Sequence, residues 1–109
     1  MRTLGNVNSL TAKAATGEGT PVNVAAFNHA SMQVTGTFSA TVAMKASLDG
    51  VTWFEVYGHD VGDANHGLEK TVTAPSIIQF RELAGIQFLR ADVTIYSSGA
   101  VTAIINAVA

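Results

Sequence analysis

The stretch SLDGVTWFEV, residues 47–56, decides how this chain reads. It holds the only tryptophan, Trp53, beside an Asp-Gly pair that lies between two strand-like runs. Asp-Gly between alternating apolar residues is a strong hairpin signal. A two-residue loop, Asp49-Gly50, sets Met44 opposite Glu55 and places a carboxylate on the apolar side. A three-residue loop over 48–50, with Gly50 in the left-handed conformation, sets Ser47 opposite Val51, Lys45 opposite Trp53, Met44 opposite Phe54 and Val42 opposite Val56. The faces then separate cleanly, and because register follows the buried face the longer loop is preferred. This reading puts Phe54 in the core. Trp53 goes to the other face, beside the Lys45 stem and within reach of a cation–π contact. A tryptophan there needs a cover: the 58–69 loop, the N-terminal arm, a neighbouring subunit or a ligand. Large aromatics mostly pack against protein, so protein is the expected cover.

Outward from the hairpin, the dominant period is two. Val42, Met44, Ala46 and Leu48 alternate with Thr41, Ala43, Lys45 and Ser47; Leu89, Ala91, Val93 and Ile95 alternate with Arg90, Asp92, Thr94 and Tyr96. Each pattern predicts a half-buried strand. Further strands are expected over 10–15, 22–27, 31–38, 51–57, 70–74, 77–80 and 101–108, separated by Gly- and Pro-containing turns. Only FRELAG, residues 80–85, suggests a helical turn. About eight short strands with such turns predict an all-β, antiparallel β-sandwich of jelly-roll type. Residues 1–9 read as an extended arm, with Leu4 and Val7 too sparse for a core, and 10–109 as one β-sandwich domain.

Bulk composition narrows the function classes. The chain has 109 residues, enough to bury roughly two-thirds of its unfolded surface as one domain. It has no cysteine, which excludes disulfides, thiol catalysis and Cys-ligated metal. No apolar h-region follows Arg2, and no run approaches the roughly 20 residues of a membrane span, so synthesis in the cytoplasm without a signal peptide is expected. The six cations are dispersed, without the clustered footprint of a nucleic-acid binder. Charged residues make up only 13% against 48% apolar, a surface poorly protected against association. That composition suits a subunit of an assembly.

The richest polar cluster is GHDVGDANHG, with His59, Asp60, Asp63 and His66 in one loop. These are donors for a divalent ion, but the spacing is not that of a calcium loop and no helix aligns the histidines. A partner-contacting loop is the preferred reading. No Gly-x-Ser-x-Gly elbow accompanies the histidines, and TGEGTP lacks the lysine and helix of a phosphate loop. Enzyme activity and a bound cofactor are therefore not expected. Arg90 and Asp92, two apart on one strand face, read as a surface pair of small worth.

Two resemblances complete the reading. Ser47, Asp49, Gly50 and Trp53 resemble the Ser-x-Asp-Gly-x-x-Trp hairpin of discoidin-like, galactose-binding-like jelly rolls, and Phe88 and Arg90 resemble that family's aromatic-x-Arg strand. The resemblance covers about half the chain and implies scaffold roles for Gly50, Trp53, Phe88 and Arg90, which join Phe54, scaffold by the pairing arithmetic; the sugar-binding loops of that family do not align. The whole chain, small, Cys-free and rich in Ala, Thr, Val and Gly, is similar in type to tailed-bacteriophage capsid decoration proteins. That likeness implies a homo-oligomer, dimer or trimer, on the capsid exterior, bound to the major capsid protein and not to nucleic acid or membrane. Contact residues are then expected in the arm (Arg2, Leu4, Val7) and in the loop (His59, Asp60, Asp63, His66). The alternative is a carbohydrate-binding module or a tail-tip or fibre adhesin with the discoidin-like fold.

Overall fold

A computed structural model describes residues 5–65, 67–81, 83 and 85–108. Twelve strands run along the chain: Val7–Lys13 (β1), Gly17–Glu18 (β2), Val22–Asn23 (β3), His29–Thr35 (β4), Phe38–Ser47 (β5), Phe54–Glu55 (β6), Gly58–Asp60 (β7), Leu68–Glu69 (β8), Thr71–Val72 (β9), Ser76–Phe80 (β10), Phe88–Gly99 (β11) and Val101–Val108 (β12). One sheet has the order β1-β12-β4-β10-β7-β8; the other has β2-β11-β5-β6, with β3 also on β11 and β9 also on β5. Every pairing is antiparallel. Taking β2 with β3, and β6 with β9, as interrupted single strands leaves eight, with the β7–β8 hairpin as an insertion. Their orders are then first-eighth-third-sixth and second-seventh-fourth-fifth, the double Greek key of a jelly roll. Among the described residues there is no helix.

The core follows from strand alternation. Ala30, Met32 and Val34 of β4 and Val101, Ala103, Ile105 and Ala107 of β12 point inward from one sheet. Val42, Met44 and Ala46 of β5 and Leu89, Ala91 and Val93 of β11 meet them from the other. The alternation of β11 breaks where its register against β5 slips between Val93↔Val42 and Ile95↔Thr41. The extra residue of this bulge exchanges the faces, so Ile95 turns to solvent and Tyr96 packs on the core.

The run over 31–38, expected as one strand, is two. Gly36, at φ 117°, lets the chain leave β4 and enter β5 in the opposite sheet. Gly99, at φ 87°, does the same between β11 and β12. The two crossings lie side by side, and Ala100 N donates to Thr37 O at 3.1 Å. A Cβ on Gly36 would strike the Ala100 carbonyl, and one on Gly99 the Thr37 carbonyl. The N-terminal segment differs from the expected arm. Val7 pairs with Ile105 and Asn8 with Ile104 in the sheet, and Leu10 is buried. Two register irregularities in β1 turn both Ser9 and Leu10 inward, which simple alternation does not anticipate. Arg2 and Leu4 lie outside the described residues.

Gly99→Ala combines an unfavourable positive φ with a carbonyl clash, so it should lower stability by about 2 kcal/mol or more. Urea denaturation should show a lower midpoint with an unchanged slope.

Candidate interaction surface

The hairpin around residues 47–56 is longer than its Asp-Gly signal suggests. Lys45 pairs with Glu55 and Ala46 with Phe54, while Val56 N donates to Met44 O. The loop therefore runs over residues 48–53. Side chains closing on the backbone account for the added length. Asp49 Oδ1 accepts from Val51 N at 2.8 Å, from Thr52 N at 2.9 Å and from Ser47 Oγ at 3.0 Å. Ser47 Oγ in turn accepts from Gly50 N at 2.9 Å. Gly50 is left-handed at φ 76°, above the Phe88 ring. The register moves by two residues, so face assignments are kept and Trp53 still points outward. Phe54 does not enter the core; it is 69% exposed. It lies on a two-residue strand at the sheet edge, and Val56 takes the place against the core.

Trp53 is covered from within. Its ring lies 4.2 Å from the Arg90 guanidinium carbon and 6.4 Å from the Phe88 ring, tilted by 57°. The cation is thus Arg90 and not Lys45, whose Nζ lies 3.5 Å from Asp92 Oδ2. Arg90 and Asp92 are not the surface pair expected, being 7% and 4% exposed. Arg90 Nη2 donates to Asp92 Oδ2 at 3.1 Å, and Nε lies 2.9 Å from Oδ1 without a hydrogen-bonding angle. Glu18 Oε2 lies 3.3 Å from Arg90 Nη1, and Gly19 N donates to Asp92 Oδ1 at 3.1 Å. Alternation on β11 correctly turns this pair away from the core, but groups of the neighbouring β2 segment beside it and the Trp53 ring above it close in on that outer face and bury it.

Beside this hairpin several large apolar side chains are left uncovered. Two adjoining depressions of about 500 and 320 Å³ share Ala46, Val56 and Ile86. Phe80, Leu83 and Leu89 also line the larger one, and exposed Leu48, Phe54, Tyr57 and Leu68 stand around the pair. Lys70 Nζ lies 5.6 Å from the Tyr57 ring. This arrangement offers apolar area with few charges. The 58–69 segment, expected as a loop, is the β7–β8 hairpin on the sheet edge. It brings His59 to the cleft wall. Asp60 Oδ1 accepts from Gly62 N, and Asp63 accepts from Asn65 N and Gly67 N, so these carboxylates shape the hairpin's turn. His66 lies outside the described residues, among which no group of three metal-donor side chains converges. Val7 is on β1 in the other edge strand of that sheet, away from the cleft. Leu48, on the apolar face of the alternation, is instead 65% exposed, and Leu68 carries no periodic signal. The signal they share is a large apolar residue directly beside turn residues.

The fold is similar to that of two solved structures. The SPBc2 prophage-derived protein YomS matches with a TM-score of 0.81 at 18% identity, covering 100% of this chain and 96% of that one. The PBSX exported protein XepA matches with a TM-score of 0.86 at 13% identity, covering 97% of this chain and 37% of that one. This chain thus spans little more than a third of XepA. At these identities the likeness is one of fold. No protein-family model matches the chain, and no curated protein matches it by sequence.

Removing one partner of a buried pair strands the other charge, so Asp92→Ala should cost about 3 kcal/mol in urea denaturation. Phe54→Ser should stay within about 0.5 kcal/mol of the wild type, although Phe54 adjoins the covered Trp53. The Asp49 carboxyl is held below its ordinary range, chiefly by the Thr52 amide, then by the Val51 amide and the Ser47 hydroxyl. A depressed carboxylate contributes fully above its unfolded pKa, and that contribution vanishes as pH falls through the folded one. The loop should therefore stay closed through neutral pH and open in acid below the usual aspartate range. The amide NMR shifts of Val51 and Thr52 would report it.

Proposed function

We propose that this chain is a phage-encoded, non-enzymatic virion structural protein that attaches to a protein surface through its apolar end. The observation that carries the reading is the group Leu48, Phe54, Tyr57 and Leu68, exposed around two adjoining depressions on a weakly charged chain. Contiguous apolar surface of this kind marks interaction sites. The shared fold with a prophage-derived protein and a PBSX protein supports the phage assignment. Within the virion, the proposed role is decoration of the capsid exterior, as a homo-oligomer that bridges major capsid subunits by area and fit. No helix among the described residues is long and apolar enough to cross a membrane. The description of XepA as exported fits release in a particle.

A second reading, a glycan-binding tail adhesin, draws on Tyr57 standing exposed at the lip of a cleft that also holds His59 and Arg81. The two readings part on one experiment. Purified protein is mixed with phage heads and tails that lack it, and bound protein is located by sedimentation and electron microscopy. Decoration predicts binding to heads. Phe54→Ser should weaken it about tenfold or more, since burying such a side chain is worth roughly 1.5 kcal/mol or more. Binding to neither heads nor tails overturns the virion reading. Binding to tails, with Tyr57→Ala losing glycan affinity, favours the adhesin.

A further inference from the structure

The Asp49–Gly50 bond is the kind of peptide bond most open to isomerisation. Glycine carries no side chain to block its own nitrogen from attacking the preceding aspartyl side chain. In that reaction Gly50 N bonds to Asp49 Cγ of the protonated carboxyl and water leaves, made of the carboxyl OH and the amide proton. The resulting succinimide takes water back at either carbonyl. Hydrolysis at the main-chain carbonyl leaves the chain running through the side chain, as isoaspartate, with no net change in composition. The bond sits in an exposed loop: Asp49 is exposed, and neighbouring Val51 is 80% exposed. Flexible exposed loops are where such ageing concentrates.

Here the reacting atoms are held by other partners. The attacking group, Gly50 N–H, donates to Ser47 Oγ at 2.9 Å. The group to be attacked is fixed by the Val51 and Thr52 amides and by the Ser47 hydroxyl, all on Oδ1. One hydroxyl thus touches both reactants, accepting from the nitrogen and donating to the carboxylate. We infer that Asp49–Gly50 is a latent isomerisation site that the Ser47 hydroxyl holds closed. The same bonds keep the carboxyl ionised, which further disfavours the reaction because the ionised form is the poorer electrophile. Opening the site would matter to the fold. Isoaspartate inserts an extra backbone atom into a loop whose closure places Trp53 over Arg90.

The test measures isoaspartate at residue 49 in the full chain, incubated at neutral pH and read by electron-transfer fragmentation mass spectrometry. Native wild type should accumulate it more slowly than the same protein in urea. Ser47→Ala should accelerate it by about fivefold or more, the factor that one net hydrogen bond allows. Ser47→Thr, which keeps the hydroxyl, should stay near the wild-type rate. If the alanine variant does not fold, Ser47→Cys keeps the volume with a poor donor and acceptor and carries the same expectation. Equal rates for native and urea-unfolded wild type would overturn the inference. So would a folded Ser47→Ala or Ser47→Cys variant that ages no faster than wild type.

Discussion

The buried ion pair between Arg90 and Asp92 is the constraint on which the outer half of this sandwich depends. Burying two charges costs several kcal/mol per ion unless their remaining hydrogen-bonding positions are filled. Here the filling groups come from distant parts of the chain: Gly19 and Glu18 from the β2 region, Lys45 from β5, and the Trp53 ring from the hairpin loop. Each is thereby fixed to β11. The opposite face of β11 puts Leu89, Ala91 and Val93 into the core. The strand is therefore covered on both faces, although strands of antiparallel sheets commonly have one face in water. Its sequence alternates apolar with charged because the second cover is thin, made of single side chains from β2 and β5 and of the Trp53 loop.

This also explains what the sequence revealed and what it hid. Period-two alternation, glycine turns and the left-handed Gly50 are local, and the sheet class follows from them. The three-residue loop misjudged the hairpin because pairing arithmetic counts backbone positions and does not see Ser47 and Asp49 holding the chain in a wider turn. Parity rightly sets Phe54 on the inward side, but it does not report that a strand lies at an edge with little opposite it. The bulge at Val93–Ile95 and the double turn-in at Ser9 and Leu10 leave no mark in composition. The burial of Arg90 and Asp92 depends on a cover 72 residues away in the chain, at Glu18, which no window along the sequence contains.

The candidate surface arises from the same geometry. Because the fifth of the eight strands is interrupted into β6 and β9, the chain between them is free to form the β7–β8 excursion onto the neighbouring sheet edge. That excursion supplies Tyr57, His59 and Leu68 to the cleft, while the β10–β11 connection supplies Arg81, Leu83 and Ile86. The scaffold is shared with YomS and XepA, and a fold hosts many functions. What distinguishes this chain lies in the side chains set on its open end.

The pairing of β1 with β12 has a consequence for how the molecule is made. β12 lies between β1 and β4, so the last strand of the sandwich occupies an inner position of its sheet. While it is missing, β1 has no lateral neighbour and β4 has one open edge. The sheet therefore cannot close until β12 has been made, and its closure is a late, long-range event of the slow kind. The interval before closure exposes unpaired strand edges on a chain with few charges. The most vulnerable moment of the sandwich thus comes before β12 docks, and a low yield of soluble protein would reflect that interval more than the stability of the closed fold.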